Sequence, residues 1–194
     1  GLDKSSARYM HEEFFKHIDI QKKNIHYFNG FTSNPSKTCN EYEKKIRDAG
    51  GIDIQLLGIG RDGRWGYNEP GSSLGSRSHV VALTKQTIDD NYEDFYRKVG
   101  LTKDEMPHFA LTMGVGTILD ARKLILIASG VKKADVIRQA LEGPVTAQIT
   151  SSAIQLYSGE ATIILDNEAA SLLSNIEHIK HTEEMSKKYG FRAE

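Results

Sequence analysis

The sequence predicts an α/β fold of the Rossmann-like type, a three-layer sandwich built around a mostly parallel sheet. Short apolar runs alternate with segments of helical periodicity along the chain. The run 124–128 is apolar without interruption, which is typical of a strand buried on both faces. A chain of 194 residues can bury a core of this kind. We therefore expect residues 1–194 to form a single domain.

The element boundaries follow from the same two patterns. Apolar runs bounded by glycine-rich or polar turns predict strands at 52–59, 79–83, 109–113, 124–128 and 161–165. Apolar residues recurring every three or four positions predict helices at 5–18, 37–49, 85–97 and 131–142, with a helical turn up to Asp120. The segment 31–36 is predicted as a loop. Residues 167–194 are expected to form a helical, then polar, lid or tail.

Composition excludes several classes of function. Apolar residues make up 39% of the chain and charged residues 26%, with a net charge of −1, so neither nucleic acid nor a membrane surface is an expected partner. Cys39 is the single cysteine, which excludes an internal disulfide and predicts a cytoplasmic location. The seven histidines have no metal-binding spacing, and no complete dinucleotide or Walker motif is present. We therefore expect neither metal nor cofactor.

The candidate site lies where strands end, because ligands of such folds bind at the carboxyl ends of the strands. The loop 58–70 (GIGRDGRWGYNEP) follows a predicted strand and carries glycines, two carboxylates and two arginines. Its glycines, Gly58, Gly60 and Gly63 among them, allow a close approach of backbone to ligand. Asp62 and Glu69 could act as an acid/base pair. A solvated, glycine-rich connection explains the same composition equally well.

Two further loops have an anion-binding character. The amides of Gly116 and Thr117 could face a phosphate or carboxylate, although a tight turn explains them more simply. Lys132 and Lys133 begin a predicted helix, where cations oppose the helix dipole and a bound phosphate would compensate. Two solvated lysines are the simpler explanation of that pattern.

Taken together, these loops resemble the signature of the glucosamine-6-phosphate deaminase family. The resemblance is carried in order and spacing by 57–63 (LGIGRDG), 68–74 (NEPGSSL), 76–77 (SR), 110–121 (ALTMGVGTILDA), 130–134 (GVKKA), 140–143 (ALEG) and 151–156 (SSAIQL). It covers roughly residues 1–170, and the combined motifs are highly specific. It extends over the C-terminal three-quarters of the family domain, so we expect a longer protein and an inactive 194-residue stretch on its own.

The resemblance implies an enzyme that converts glucosamine 6-phosphate to fructose 6-phosphate and ammonia without a cofactor. It implies that Asp62 and Glu69 form a catalytic relay and that Lys133 contacts the substrate phosphate. It further implies that Gly58, Gly60 and Gly63 line the sugar site, with Gly116 and Thr117 close by.

Three positions depart from the family pattern. Arg64 replaces a histidine that assists ring opening, and a guanidinium can bind an anion but cannot shuttle a proton. Glu93 replaces a phosphate-binding arginine, and a carboxylate there would repel the phosphate. His79 stands where some members carry an allosteric arginine.

The resemblance leaves alternatives open. The substrate could be galactosamine 6-phosphate or a related sugar phosphate, and the related 6-phosphogluconolactonase activity is a weaker option. Because Arg64 and Glu93 replace residues that carry chemistry, a non-catalytic sugar-phosphate sensor is the rival from another class. A homo-oligomer is compatible with all of these.

Overall fold

Five short strands form two separate sheets in the computed structural model, which describes residues 6–94 and 96–190. The strands are β1 (Ile54–Leu57), β2 (His79–Ala82), β3 (Phe109–Thr112), β4 (Lys123–Ala128) and β5 (Glu160–Leu165). The α-helices are α1 (Ser6–Glu13), α2 (Pro35–Asp48), α3 (Lys85–Asp94), α4 (Val115–Leu119), α5 (Ala134–Glu142) and α6 (Ile176–Tyr189). All five predicted strands are present, and the α/β fold class is confirmed.

The parallel sheet has the strand order β1-β4-β5. Ile54 is paired with Lys123, and Lys123 with Glu160, so the three strands start level with one another. β2 and β3 form a separate antiparallel pair, with His79 opposite Thr112. A largely parallel arrangement was predicted correctly, whereas the antiparallel pairing of 79–82 with 109–112 was not anticipated.

The chain folds as two compact units. The first comprises residues 6–50 and 77–113, and the second comprises 51–76 and 114–190. The first contains the antiparallel pair and the second contains the parallel sheet. The expectation of one domain over 1–194 stays a prediction.

In the first unit, α2 starts earlier than predicted because two residues favour a helix start. The Asn34 side chain accepts a hydrogen bond from the Lys37 N–H at 3.0 Å, and Pro35 occupies the first helical position. The helix ends before Gly50, which has a φ of +85°. One face of α2 buries Cys39 and Glu43.

Two other predicted helices in this unit end differently from expectation. The segment predicted as 5–18 is α-helical only over Ser6–Glu13 and then forms a 3-10 turn at Phe15–His17. The segment predicted as 85–97 passes from α3 to a 3-10 turn at Tyr96–Val99. Residues 5 and 95 of these predictions lie outside the described residues.

In the second unit, the core lies against one face of the parallel sheet. Leu124 and Leu126 have no exposed surface, and Ile137 and Ala140 of α5 are buried with them. The predicted helix 131–142 begins as a 3-10 turn at Val131–Lys133 before α5. The tail predicted at 167–194 contains α6, and residues 191–194 lie outside the described part. Within residues 6–94 and 96–190, no helix has the length and hydropathy that crossing a bilayer requires.

Candidate functional site

The loop 58–70 leaves the carboxyl end of β1 and turns sharply at Gly63. This glycine has a φ of +79°, a conformation that other residues rarely adopt. A methyl group at this position would lie 2.7 Å from Cγ2 of Ile149. The Gly63 carbonyl accepts a hydrogen bond from the Ser151 N–H at 2.9 Å. The 3-10 segment Thr150–Leu156 therefore contacts the loop at its turn.

Asp62 and Arg64 form an ion pair inside this loop. Arg64 Nη1 donates to Asp62 Oδ1 at 2.8 Å, and both side chains are only 9% exposed. The Arg64 guanidinium also lies 5.9 Å from the centre of the Tyr67 ring. Since a guanidinium remains protonated at any working pH, Arg64 can position Asp62 or bind an anion, but it cannot relay a proton.

The absence of a side chain at Gly60 makes room for this pair. A methyl group there would lie 2.9 Å from Arg64 Cγ and closer still to Arg64 Nη1 and Asp62 Oδ1. The Gly60 N–H donates to the Arg64 carbonyl at 3.0 Å, which closes the turn. The absence of a side chain at Gly60 therefore allows the Asp62 and Arg64 side chains to form their ion pair next to its backbone.

Each member of the pair also has one buried polar atom that lacks a hydrogen-bond partner among the described residues. Among the described residues, Asp62 Oδ2 and Arg64 Nε are buried and have no hydrogen-bond partner. One is an acceptor and the other a donor. By chemistry alone, a hydroxyl group could donate to the first and accept from the second.

Lys133 joins the same loop from 74 positions further along the chain. Its Nζ donates to the carbonyl of Ile59 at 2.6 Å, and its side chain is half-buried. The structure therefore brings Lys133 to the loop that carries Asp62 and Arg64. Its expected contact with a phosphate stays a prediction.

The turn that precedes Lys133 does not offer its amides to a phosphate. The Gly130 N–H donates to both carboxylate oxygens of Asp166, at 3.1 and 2.9 Å, and the Val131 N–H donates to Glu168 at 3.2 Å. The chain's own carboxylates therefore engage the amides of this turn, and a phosphate at the two lysines stays a prediction. The sequence signal that was missed is the acidic pair directly after β5.

The amides near Gly116 and Thr117 are likewise engaged within the chain. The Val115 N–H donates to Ser76 Oγ at 3.0 Å, and the N–H groups of Gly116 and Thr117 donate to the Ser76 carbonyl at 2.9 and 3.4 Å. A Cβ at Gly116 would lie 2.8 Å from the Gly75 carbonyl oxygen. These contacts favour the tight turn, the simpler of the two explanations, and a substrate contact by Gly116 or Thr117 stays a prediction.

Glu69 is buried at the far end of the loop, beside the fully buried Asn68. Asn68 Nδ2 donates to the Trp65 carbonyl at 2.9 Å, and the Asn68 carbonyl accepts from Thr150 Oγ1 at 3.0 Å. These contacts hold the segment that carries Glu69 against the 3-10 segment. The catalytic role of Glu69 and the lining role of Gly58 stay predictions.

Glu93 and His79 belong to the other unit. Glu93 forms an exposed ion pair with Arg97 at 2.9 Å, so a neighbour on the same segment compensates its charge. His79 Nδ1 lies 2.8 Å from the Arg77 carbonyl oxygen. The expected effects of these two substitutions on phosphate binding and regulation stay predictions.

Several known proteins resemble this chain. The family described as glucosamine-6-phosphate isomerases/6-phosphogluconolactonase matches residues 2–65. A glucosamine-6-phosphate deaminase from Shewanella woodyi is 48% identical over 190 residues, which cover 97% of this chain and 69% of that protein. One from Cellvibrio japonicus is 48% identical over 193 residues and is covered to 71%. The chain thus spans about 70% of the length of these relatives.

Solved structures also resemble this chain, and a deaminase among them does so more strongly than a lactonase. A monomeric glucosamine-6-phosphate deaminase is 42% identical with a TM-score of 0.79, over 84% of this chain and 66% of that one. A 6-phosphogluconolactonase from Trypanosoma cruzi is 28% identical with a TM-score of 0.50, over 71% of this chain and 52% of that one. The likeness to the deaminase is therefore greater in both sequence and fold.

Proposed function

The chain belongs to the glucosamine-6-phosphate deaminase family, and we propose that it serves the conversion of glucosamine 6-phosphate to fructose 6-phosphate and ammonia. The observation that carries this proposal is the convergence of the Asp62–Arg64 pair and Lys133 on one loop after β1. The loop supplies a carboxylate and a cation in one turn, and Lys133 brings a second cation to it from the turn before α5.

The proposed chemistry gives Asp62, Arg64, Lys133 and Glu69 different roles. The sugar ring opens, a proton moves from C2 to C1, and water replaces the amine at C2 as ammonia leaves. Asp62, held by Arg64, orients a sugar hydroxyl. Lys133 attracts the phosphate as a mobile point charge. Glu69 is the remaining carboxylate of the loop and the proposed partner in proton transfer.

Arg64 limits how ring opening is assisted. A histidine at this position would exchange a proton near neutral pH, whereas Arg64 holds its proton and offers only positive charge. Arg64 therefore stabilises negative charge on the sugar oxygen, and another group or water must move the proton.

The Asp62–Arg64 pair also favours a second candidate function, a sugar-phosphate sensor that binds without turnover. A carboxylate held by a permanent cation can bind a hydroxyl, while Arg64 cannot relay a proton as a histidine would. A cytoplasmic location and the identity of the hexosamine are further parts of the proposal. The homo-oligomer also stays a prediction, since the related solved deaminase is monomeric.

The test is an assay of the longest available form of the protein with glucosamine 6-phosphate, following ammonia and fructose 6-phosphate together. Arg64→His is compared with the parent, and Arg61→His, an exposed neighbour in the same loop, is the matched control. Turnover by the parent supports the enzyme, and turnover only by Arg64→His supports a site that Arg64 has disabled. If neither turns over but the sugar phosphate raises the Tm of the parent, the sensor is supported. If the sugar phosphate changes neither products nor Tm in any form, the proposal fails.

A further inference from the structure

Hydrogen bonds connect the segments that follow the three parallel strands. The strand order is β1-β4-β5, and Ala128 at the end of β4 is paired with Leu165 at the end of β5. The loop 58–70 follows β1, the turn before α5 follows β4, and Asp166 follows β5. Because neighbouring parallel strands end at one edge of the sheet, a contact made after β5 can reach the loop after β1 through the turn after β4.

Asp166 binds the backbone of the turn after β4. Its two carboxylate oxygens accept the Gly130 N–H at 3.1 and 2.9 Å, and Oδ1 also accepts the Ala169 N–H at 2.7 Å. Glu168 accepts the neighbouring Val131 N–H at 3.2 Å. Hydrogen bonds from amides to a carboxylate are charge-assisted and stronger than those to a neutral acceptor. Asp166 therefore holds Gly130 while Ala169 fixes the orientation of the carboxylate itself.

Gly130 connects this carboxylate to Lys133. The Gly130 carbonyl accepts the Lys133 N–H at 3.0 Å, which closes the 3-10 turn Val131–Lys133. Gly130 has a φ of +84°, a conformation that other residues rarely adopt. A lysine ammonium group sits on a long flexible stem, so its position depends on where the backbone holds its Cα. Asp166 thus acts on the backbone from which the Lys133 side chain extends.

Lys133 in turn contacts the loop that carries Asp62. Its Nζ donates to the carbonyl of Ile59 at 2.6 Å, and Ile59 is buried. We propose that Asp166 is a positioning residue for Lys133, which holds the turn after β4 and so sets where the ammonium group meets the substrate phosphate. This inference rests on the proposed function, which assigns the phosphate to Lys133. Since the attraction between two charges falls with distance, a displaced ammonium group binds the phosphate less well.

The position of Lys133 is tested without substrate, by acetylating the full chain and following each lysine by mass spectrometry with peptide fragmentation. Lys133 is half-buried and bound to the Ile59 carbonyl, whereas the adjacent Lys132 is exposed and serves as the internal reference. Asp166→Ala is expected to raise the acetylation rate of Lys133 relative to Lys132 by about three- to tenfold, because the charge-assisted hydrogen bonds that hold the turn are lost. Asn167→Ala, a change at the exposed neighbouring residue, is the matched control and should leave this ratio unchanged.

The effect on phosphate binding is measured with fructose 6-phosphate, which carries the phosphate and cannot be aminated in the absence of ammonia. In the longest available form of the protein, Asp166→Ala is expected to raise the Kd from isothermal titration calorimetry by about three- to tenfold. Asp166→Asn keeps one acceptor oxygen and should recover part of the loss. In a Lys133→Met background, Asp166→Ala should raise the Kd no further, whereas a merely structural effect would persist there. Thermal melting checks that each variant is folded.

The outcomes separate this inference from the proposed function. An unchanged acetylation rate of Lys133 in Asp166→Ala overturns the inference, as does an equal rise in Kd with and without Lys133. If Lys133→Met by itself leaves the Kd for fructose 6-phosphate unchanged, the phosphate role of Lys133 in the proposed function fails. The acetylation rates still decide in that case whether Asp166 positions Lys133, because they are measured without any sugar phosphate.

Discussion

Arg64 and Asp62 lie two residues apart in one turn, and their side chains meet in a 2.8 Å ion pair that is almost entirely shielded from solvent. The loop thus carries its own counter-ion for the carboxylate that the site requires. Such a pair contributes little net stability while intact, but removing one partner leaves a buried, unpaired charge.

Removing Arg64 alone should therefore cost more than removing both charges. We expect Arg64→Met to lower the free energy of unfolding by about 3–5 kcal/mol, and Asp62→Asn combined with Arg64→Met to recover part of that loss. Urea unfolding of the two single variants and the double variant measures the coupling. Additive effects of the two substitutions would contradict the buried pair.

Gly60 should tolerate no side chain, because a methyl group there meets Arg64 and Asp62. We expect Gly60→Ala to destabilise the protein by about 1–3 kcal/mol through this crowding. Gly58→Ala is the matched control, since no atom lies within 4 Å of a Cβ at Gly58. Equal stability of the two variants would show that the pair shifts without cost.

Glu43 should anchor α2 to the strand that follows Arg77. Its buried carboxylate accepts from Arg77 Nη2 at 2.8 Å, from the Ser78 N–H at 2.8 Å and from Ser78 Oγ at 2.6 Å. Glu43→Gln replaces a charged acceptor by a neutral amide, and we expect a loss of about 1.5–3 kcal/mol. Glu41→Gln on the exposed side of the same helix is the control, expected within 0.5 kcal/mol of the parent. A similar effect of both would argue against the anchor.

Glu142 should make the attachment of the segment before α6 sensitive to acid. The Ser174 N–H donates to Glu142 at 2.8 Å, and this hydrogen bond is the main reason that the pKa of Glu142 is lowered. The lowered pKa means that the contact stabilises the fold above the ordinary carboxyl pKa and is lost as the pH falls through the lowered one. The Ser174 amide shift should titrate with this pKa by NMR, and Glu142→Gln should abolish the titration. An ordinary carboxyl pKa in the parent would contradict the contact.

Cys39 should be unreactive in the folded protein. Burial is the main cause that raises the pKa of this thiol, and the neighbouring Glu43 carboxylate raises it further. Because the thiolate is the nucleophile, alkylation by iodoacetamide at neutral pH should be slow in the native state and fast in urea. Equal rates in the two states would mean that α2 does not keep Cys39 buried.

Local pattern was sufficient for the strands and for the loop after β1. The apolar run 124–128 indicated a buried strand, and the glycines around Asp62 indicated a tight loop. The carboxyl ends of parallel strands lie at one edge of a sheet, so the loops that follow them were expected to lie together. Lys133 could therefore be predicted at that loop from topology and resemblance. The ion pair between Asp62 and Arg64 was not predicted. The sequence nevertheless shows two oppositely charged residues two positions apart in a predicted turn.

Only the tertiary structure decided which distant residues contact each polar group and each apolar surface. Ser76 accepts hydrogen bonds from the amides of residues 115–117. Asp166 and Glu168 accept hydrogen bonds from the amides of Gly130 and Val131. The pairing of β2 with β3 is of the same kind. The sequence pattern indicates which surface of a segment is apolar and where a helix or turn leaves backbone amides without a local partner. Their partners lie far along the chain, so only the folded chain can assign them.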